Sequence, residues 1–237
     1  MRPIETYFAT PLPCPITIAV DGPAASGKST TAKGIADRLG LLYIDTGAMY
    51  RCLTWKTILN HLDCEDAASI IALLNQTEIE LDYTEGVLTV RLDRNDVSEI
   101  IRSPQVSARV SEISAIPEVR SKMVEWQRRM AQARDSILDG RDIGTVVLPN
   151  ATLKIFMICS LESRTERRME ELRRKGISIS RAEVMADIEK RDRIDSSRAT
   201  APLKQADDAI LVDTSQLSIP QQIDQVIQFL HHKVKTL

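Results

Sequence analysis

Five short apolar runs, ITIAVD (16–21), LLYID (41–45), SILD (136–139), LKIFMIC (153–159) and AILVD (209–213), alternate with longer stretches whose apolar positions recur every three or four residues. Runs this short, apolar on both faces, predict parallel strands buried beneath helices on either side, so the pattern reads as an α/β fold. Four of the runs close on aspartate, at Asp21, Asp45, Asp139 and Asp213. Carboxylates are therefore expected near the carboxyl ends of the strands, the edge at which open α/β sheets bind ligands.

The rhythm breaks between Asp63 and about Ser103. There EIELDY, GVLTVRL and NDVSEI predict a small antiparallel sheet with a turn near Glu85 and Gly86, inserted between elements of the larger sheet. Two helices follow, over about 104–115 and 117–134. Pro117 opens the second, and its Val119, Met123, Trp126 and Met130 form a core stripe. Charged helices over 160–176 and 180–198, with a capping box at Ser180 and Glu183 and a break at Gly176, predict a hairpin standing off the sheet. A last helix follows Pro220 and buries Ile223, Val226, Ile227 and Leu230.

Composition narrows the function. A chain of 237 residues can bury a full core, and its formal net charge of -2 carries no footprint for a nucleic-acid partner. That near-neutral total hides 21 Arg against 10 Lys, a bias toward planar, bidentate contacts with carboxylate or phosphate. Cys14, Cys52, Cys64 and Cys159 contain no CxxC pair, which argues against a zinc site or a disulfide framework and for reduced thiols in the cytoplasm. MRPIETYFATPLPCP lacks a long apolar core, and no later segment approaches the roughly 20 apolar residues that span a bilayer. No targeting segment and no membrane partner are expected.

The decisive motif is GPAASGKST, in which Gly22, Pro23, Ala24, Ala25, Ser26, Gly27, Lys28, Ser29 and Thr30 follow the first strand and open a helix. This is GxxxxGK[ST] in the strand, loop, helix context that makes it a phosphate loop. Backbone N–H groups and the helix N-terminus would cradle the phosphates of ATP, Lys28 would reach the β and γ phosphates, and Ser29 would ligate Mg²⁺. No NKxD guanine reader occurs, and the one DxxG, Asp37 to Gly40, lies at the end of the loop's helix, so a GTPase switch is disfavoured. An insertion and a charged hairpin over one sheet edge suit a phosphotransferase that must exclude water. Another P-loop small-molecule kinase, or an ATP-binding switch that transfers nothing, remain the alternatives.

Several further groups suit an acceptor, and each has an ordinary structural reading beside it. Asp45, Thr46, Tyr50 and Arg51 in DTGAMYR read equally as a capped helix start. Ser111 and Arg120 flank a Pro-containing turn and read also as a solvated helix face. Arg191, Asp195 and Arg198 share one helix face at spacings of four and three, which a surface salt-bridge ladder also explains.

Taken together, ITIAVDGPAASGKSTTAKGIADRLG, YIDTGAMYR, VSEIIRSPQVS, IPEVR, DGRDIGTVVLPNA with KIFM, and RDRIDSSRATAPLKQADDA resemble the bacterial type of cytidylate kinase, in order and over nearly the whole chain. Residues 1–13 lie outside the resemblance. It implies a three-layer P-loop sandwich with an adenylate-kinase-like core (14–62, 104–160 and 199–237), a nucleoside monophosphate-binding insertion (63–103) and a lid with its adjoining helix (161–198). By the same resemblance Thr46, Ser111, Arg120 and Asp142 read cytosine, Arg51, Arg141 and Arg198 hold the acceptor phosphate, and Arg191 and Asp195 meet the ribose. Among the crowded Arg164, Arg167 and Arg168, Arg167 or Arg168 is expected at the transferred group. The implied acceptors are CMP and dCMP, with a monomeric enzyme. The charged knot Asp139, Arg141 and Asp142, which a buried strand end would otherwise carry at a cost, then divides into three roles. Asp139 orders the magnesium's water shell, while Arg141 meets acceptor phosphate and Asp142 the cytosine amine.

Overall fold

The computed structural model describes Ile4 and residues 15–235; Cys14 lies outside them. Five parallel strands, β1 (Thr17–Asp21), β2 (Leu42–Asp45), β6 (Ser136–Gly140), β7 (Leu153–Ile158) and β8 (Ile210–Asp213), stand in the order β2-β6-β1-β7-β8. All five apolar runs are strands. Their side chains alternate between two helical layers. Ile18, Val20, Tyr43, Ile137 and Ile155 share a core cluster with residues of α1 (Lys28–Leu39) and α8 (Ile219–Lys235), including Ile35 and Leu230. Ala19, Ile44 and Leu138, on the opposite side of the same strands, pack instead with Val124 of α5 (Pro117–Gln132) and with Ile143.

Strand order positions the chemistry. Because β6 lies between β2 and β1, Asp139 is level with Asp45 on one side and Val20 on the other. The chain leaving β6 thus enters the crevice between the phosphate loop after β1 and the DTGAMYR segment after β2, the place where the strand order reverses.

The expected small sheet is present as β3 (Ile79–Thr84), β4 (Val87–Leu92) and β5 (Asn95–Asp96), turned at Glu85 and Gly86, both at positive φ. It is fastened to the main body: Ile79, Leu88, Val90 and Leu92 belong to the main core, and the Tyr83 hydroxyl donates to Asp37 Oδ1 at 2.6 Å. The segment also contains α3 (Ala67–Asn75), capped by Asp66, which the strand pattern does not announce. A 3₁₀ turn at Ile100–Arg102 then leads into α4 (Pro104–Ile113).

The hairpin of α6 (Leu161–Arg174) and α7 (Arg181–Ser197) has its own apolar centre in Leu172, Val184 and Ile188, and the predicted capping box opens α7. It does not simply stand off the sheet, because Arg164 and Thr165 of α6 are buried and Arg164 reaches the Ala24 carbonyl of the phosphate loop. The remaining helix of the core, α2 (Thr46–Leu59), starts where β2 ends. Among the described residues no helix is long and apolar enough to cross a membrane.

Candidate active site

The loop after β1 is shaped by close approach. Gly22 sits at φ 149°, and a Cβ there would lie 2.1 Å from the Met157 carbonyl oxygen, so no other residue fits between β1 and β7. At the far end Gly27 adopts φ 95° and passes the chain into α1, whose first N–H groups and dipole favour an anion. Lys28 curls back over the loop, its Nζ donating to the Pro23 carbonyl at 2.6 Å. Burial, and then the charge of Arg141, push its ammonium down to about 7. Asp139, Asp21 and Asp195 oppose that shift, and a polyphosphate would add further negative charge beside the ammonium.

Asp139 links loop and acceptor side. Ser29 Oγ donates to its Oδ2 at 2.6 Å, the Tyr43 hydroxyl to its Oδ1 at 2.8 Å, and Thr46 Oγ1 to its carbonyl at 2.7 Å. Burial and then the nearby Asp45 hold its carboxyl above the usual range. The other strand-end acids have different work from that expected. Asp21 accepts the N–H groups of Ile143 and Gly144, both at 2.7 Å. Asp45 caps α2 through Ala48 N–H and pairs with Arg102. Asp213, on the edge strand, accepts from Ser215 at the surface.

Asp142 and Asp195 organise the arginines. Arg120 forms a short ion pair with Asp142 Oδ2 and donates to the Ser114 carbonyl at 3.0 Å, with its guanidinium 5.4 Å from the centre of the Tyr50 ring. Arg198 approaches Asp142 at 3.6 Å and Asp195 at 3.9 Å. Arg141 Nε donates to Asp195 Oδ2 at 2.7 Å. Burial opposes the charge on Asp195, but Arg141, Arg198 and Arg191 hold its carboxyl below the ordinary range. Two cations lack such partners. Burial and then Arg191 push Arg51 down to about 9, with Ser107 Oγ at 3.1 Å as its acceptor, and burial and then Arg141 lower Arg191. Buried Nε of Arg191 and Nη2 of Arg198 have no hydrogen-bond partner.

The hairpin is clasped to the loop. Arg164 pairs with Asp192 and donates to the Ala24 carbonyl at 3.3 Å, while Asp192 Oδ1 accepts the Ala24 N–H at 3.3 Å. Arg167 donates to the carbonyls of Ser26 at 3.2 Å and Thr214 at 2.5 Å, and Arg168 pairs with Glu171 at 2.7 Å.

One cleft of about 1030 Å³ is lined by every predicted site residue except Gly22 and Pro23. Outside residues 161–175 its walls carry Lys28, Lys33, Arg51, Arg102, Arg120, Arg141, Arg191 and Arg198 against Asp45, Asp139, Asp142 and Asp195. Such an excess of positive charge suits anionic ligands.

The family model for cytidylate kinase matches residues 18–232. The chain belongs to the cytidylate kinase family. Its relatives include the cytidylate kinase of Caldicellulosiruptor bescii, 44% identical over 93% of this chain and 97% of the relative. That of Desulfitobacterium hafniense is 47% identical over 93% and 95%. Among solved structures an uncharacterized protein from Eubacterium ventriosum aligns with a TM-score of 0.51 at 12% identity, over 92% of this chain and 98% of its own, a likeness of fold.

Within this cytidylate kinase fold, four side chains at the site escape sequence reasoning. Tyr43 and Arg164 sit in an apolar run and a charged helix respectively, where neither pattern signals a hydrogen bond to Asp139 or to the phosphate loop. Asp192 sits among charges that read as solvated. Arg102 alone had a signal, its place in VSEIIRSPQVS, and it is the one residue of 63–103 that lines the cleft.

Proposed function

We propose that the cleft transfers the γ-phosphoryl group of ATP to CMP, and to dCMP, giving ADP and the cytidine diphosphate. The observation that carries this reading is the meeting of the phosphate loop and the Asp142–Arg120 pair at the two sides of one strand end. An oxygen of the acceptor's phosphate forms the new bond to the γ-phosphorus, and the bond from that phosphorus to the β–γ bridging oxygen breaks, leaving ADP. The attacking oxygen is already anionic, so no general base is required. Catalysis is alignment and charge neutralisation. Lys28 and the loop amides hold the donor's phosphates, Arg51, Arg141 and Arg198 hold the acceptor's, and Arg167 fixes the loop's far end beside the transferred group.

The donor set also fits Mg²⁺ carried by the nucleotide. Among the described residues no group of three or more His, Cys, Asp or Glu could cage a metal, whereas Ser29 Oγ beside Asp139 offers one hydroxyl and one carboxylate, enough for an ion that keeps waters and phosphate oxygens. When bound it would neutralise charge on the β and γ oxygens, with Ser29 as ligand and Asp139 ordering its waters.

Base choice follows from donor and acceptor matching. Cytosine offers an exocyclic amine and accepts at N3 and O2, complementing the Asp142 carboxylate and the donors of Arg120, Ser111 and Thr46. Uracil reverses donor and acceptor at two of those atoms, leaving buried groups unpaired at roughly 1–3 kcal/mol each. Arg191 and Asp195 meet the ribose. Core, insertion and lid keep the boundaries given above, although the acceptor's wall is built by α4 and α5, with the insertion supplying Arg102. The unpaired thiols of Cys52, Cys64 and Cys159 suit a reducing cytoplasm. A coupled assay of ADP release across CMP, dCMP, UMP and AMP checks the reading; turnover of UMP or AMP in preference to CMP would refute it.

A further inference from the structure

Arg102 ends the 3₁₀ turn that joins the small sheet to α4. Its Nη2 donates to Asp45 Oδ2 at 2.9 Å, and its side chain is 34% exposed where Asp45 is only 8% exposed. Among the described residues Asp45 is the one hydrogen-bond acceptor that its guanidinium takes, so Nε and Nη1 have no acceptor from the protein, and Arg102 lines the cleft. Asp45, by contrast, is already satisfied on its other oxygen by the Ala48 N–H. Arg51 is near enough to both that each bears on its ionisation, which places Arg102 beside the arginine read as an acceptor-phosphate ligand. An arginine serving only to neutralise Asp45 would gain nothing from an open face.

We propose that Arg102 is a further acceptor-phosphate residue, anchored on Asp45 through Nη2 and donating to the monophosphate through its remaining nitrogens. The proposal rests on the reading of the acceptor site above. It gives the small-sheet segment, otherwise remote from the cleft, one direct contact with substrate, and so couples that segment's position to occupancy of the acceptor site. A fork of this kind recognises the phosphate and not the base.

Calorimetric titration of CMP, and of cytidine as the phosphate-free control, onto the wild type, Arg102→Ala, Asp45→Asn and the double variant tests it. Arg102→Ala is expected to weaken CMP roughly ten- to a hundred-fold while leaving cytidine unchanged, and to cost less in the Asp45→Asn background, where the α2 cap survives but the anchor does not. Arg102→Lys, which keeps the charge for Asp45 and loses the fork, should fall between. Equal losses for CMP and cytidine, or no loss of CMP affinity in Arg102→Ala, would assign Arg102 to structure alone and overturn the proposal. A wild-type chain that binds cytidine and CMP equally would instead overturn the acceptor reading beneath it.

Discussion

Asp142 has two duties that a single substitution confounds. It accepts from Arg120, with which it is buried, and in the proposed function it is the carboxylate offered to the cytosine amine. Asp142→Ala should therefore raise the KM for CMP and narrow the ratio of CMP to UMP turnover, leaving the KM for ATP nearly unchanged. It should also destabilise the fold by about 3–5 kcal/mol by stranding a buried guanidinium. Adding Arg120→Met separates the two, restoring much of the melting temperature but none of the ratio; an unaltered ratio in either variant removes Asp142 from base reading. Asp21 shows what sequence cannot tell at this scale, because its partners lie 122 and 123 residues further on. Burial raises its carboxyl to about 6, against the two N–H donors. The folded chain thus holds the proton more tightly than the unfolded one, and this group's contribution is full below about pH 4 and lost as pH rises through 6. Asp21→Asn removes that titration. The melting temperature of the variant relative to wild type should rise between pH 4 and 7, and a difference independent of pH would contradict the assignment.

Elements were legible wherever the signal is local. The five strands, the Glu85–Gly86 turn, the Pro-started α4 and α5, and the capping box of α7 depend on neighbours within a few residues, and each stands where its pattern puts it. Two elements depend on distant partners and left no such trace. The π-helical turn Ile143–Val147, in a β-branched stretch, is held by Asp21 at its start and by Arg128 on the Val146 and Val147 carbonyls at its end. The hairpin's periodic charge reads as a solvated face, yet Arg164 and Asp192 use theirs to grip both polar groups of Ala24. Its attachment therefore bears on the donor site. Arg164→Met keeps the buried stem and removes the grip, and should weaken a non-hydrolysable ATP analogue about tenfold with a smaller effect on CMP. Equal losses for both ligands would mean that the clasp only holds the fold together.

At the scale of the whole molecule, one strand insertion makes two sites into one. With β6 between β1 and β2, the phosphate loop and Arg51, Arg141 and Arg198 border a continuous cleft, and the Arg141 charge disfavours that of Lys28. An anion bound on either side would ease that repulsion. A single ligand carrying adenosine and cytidine at the two ends of one polyphosphate chain should therefore occupy both halves at once. Tethering makes the second encounter intramolecular, so its affinity should exceed that of ATP or CMP alone by far more than their phosphate counts differ. By mass action it should also raise the melting temperature above what either nucleotide achieves at the same concentration. Steady-state inhibition distinguishes this from ordinary polyanion binding. Competition against both ATP and CMP requires a shared cleft, whereas competition against one substrate only would mean that the two halves are not bridged. The uridine counterpart of the same ligand supplies the internal check, since it retains every phosphate and loses only the pairing with Asp142 and Arg120.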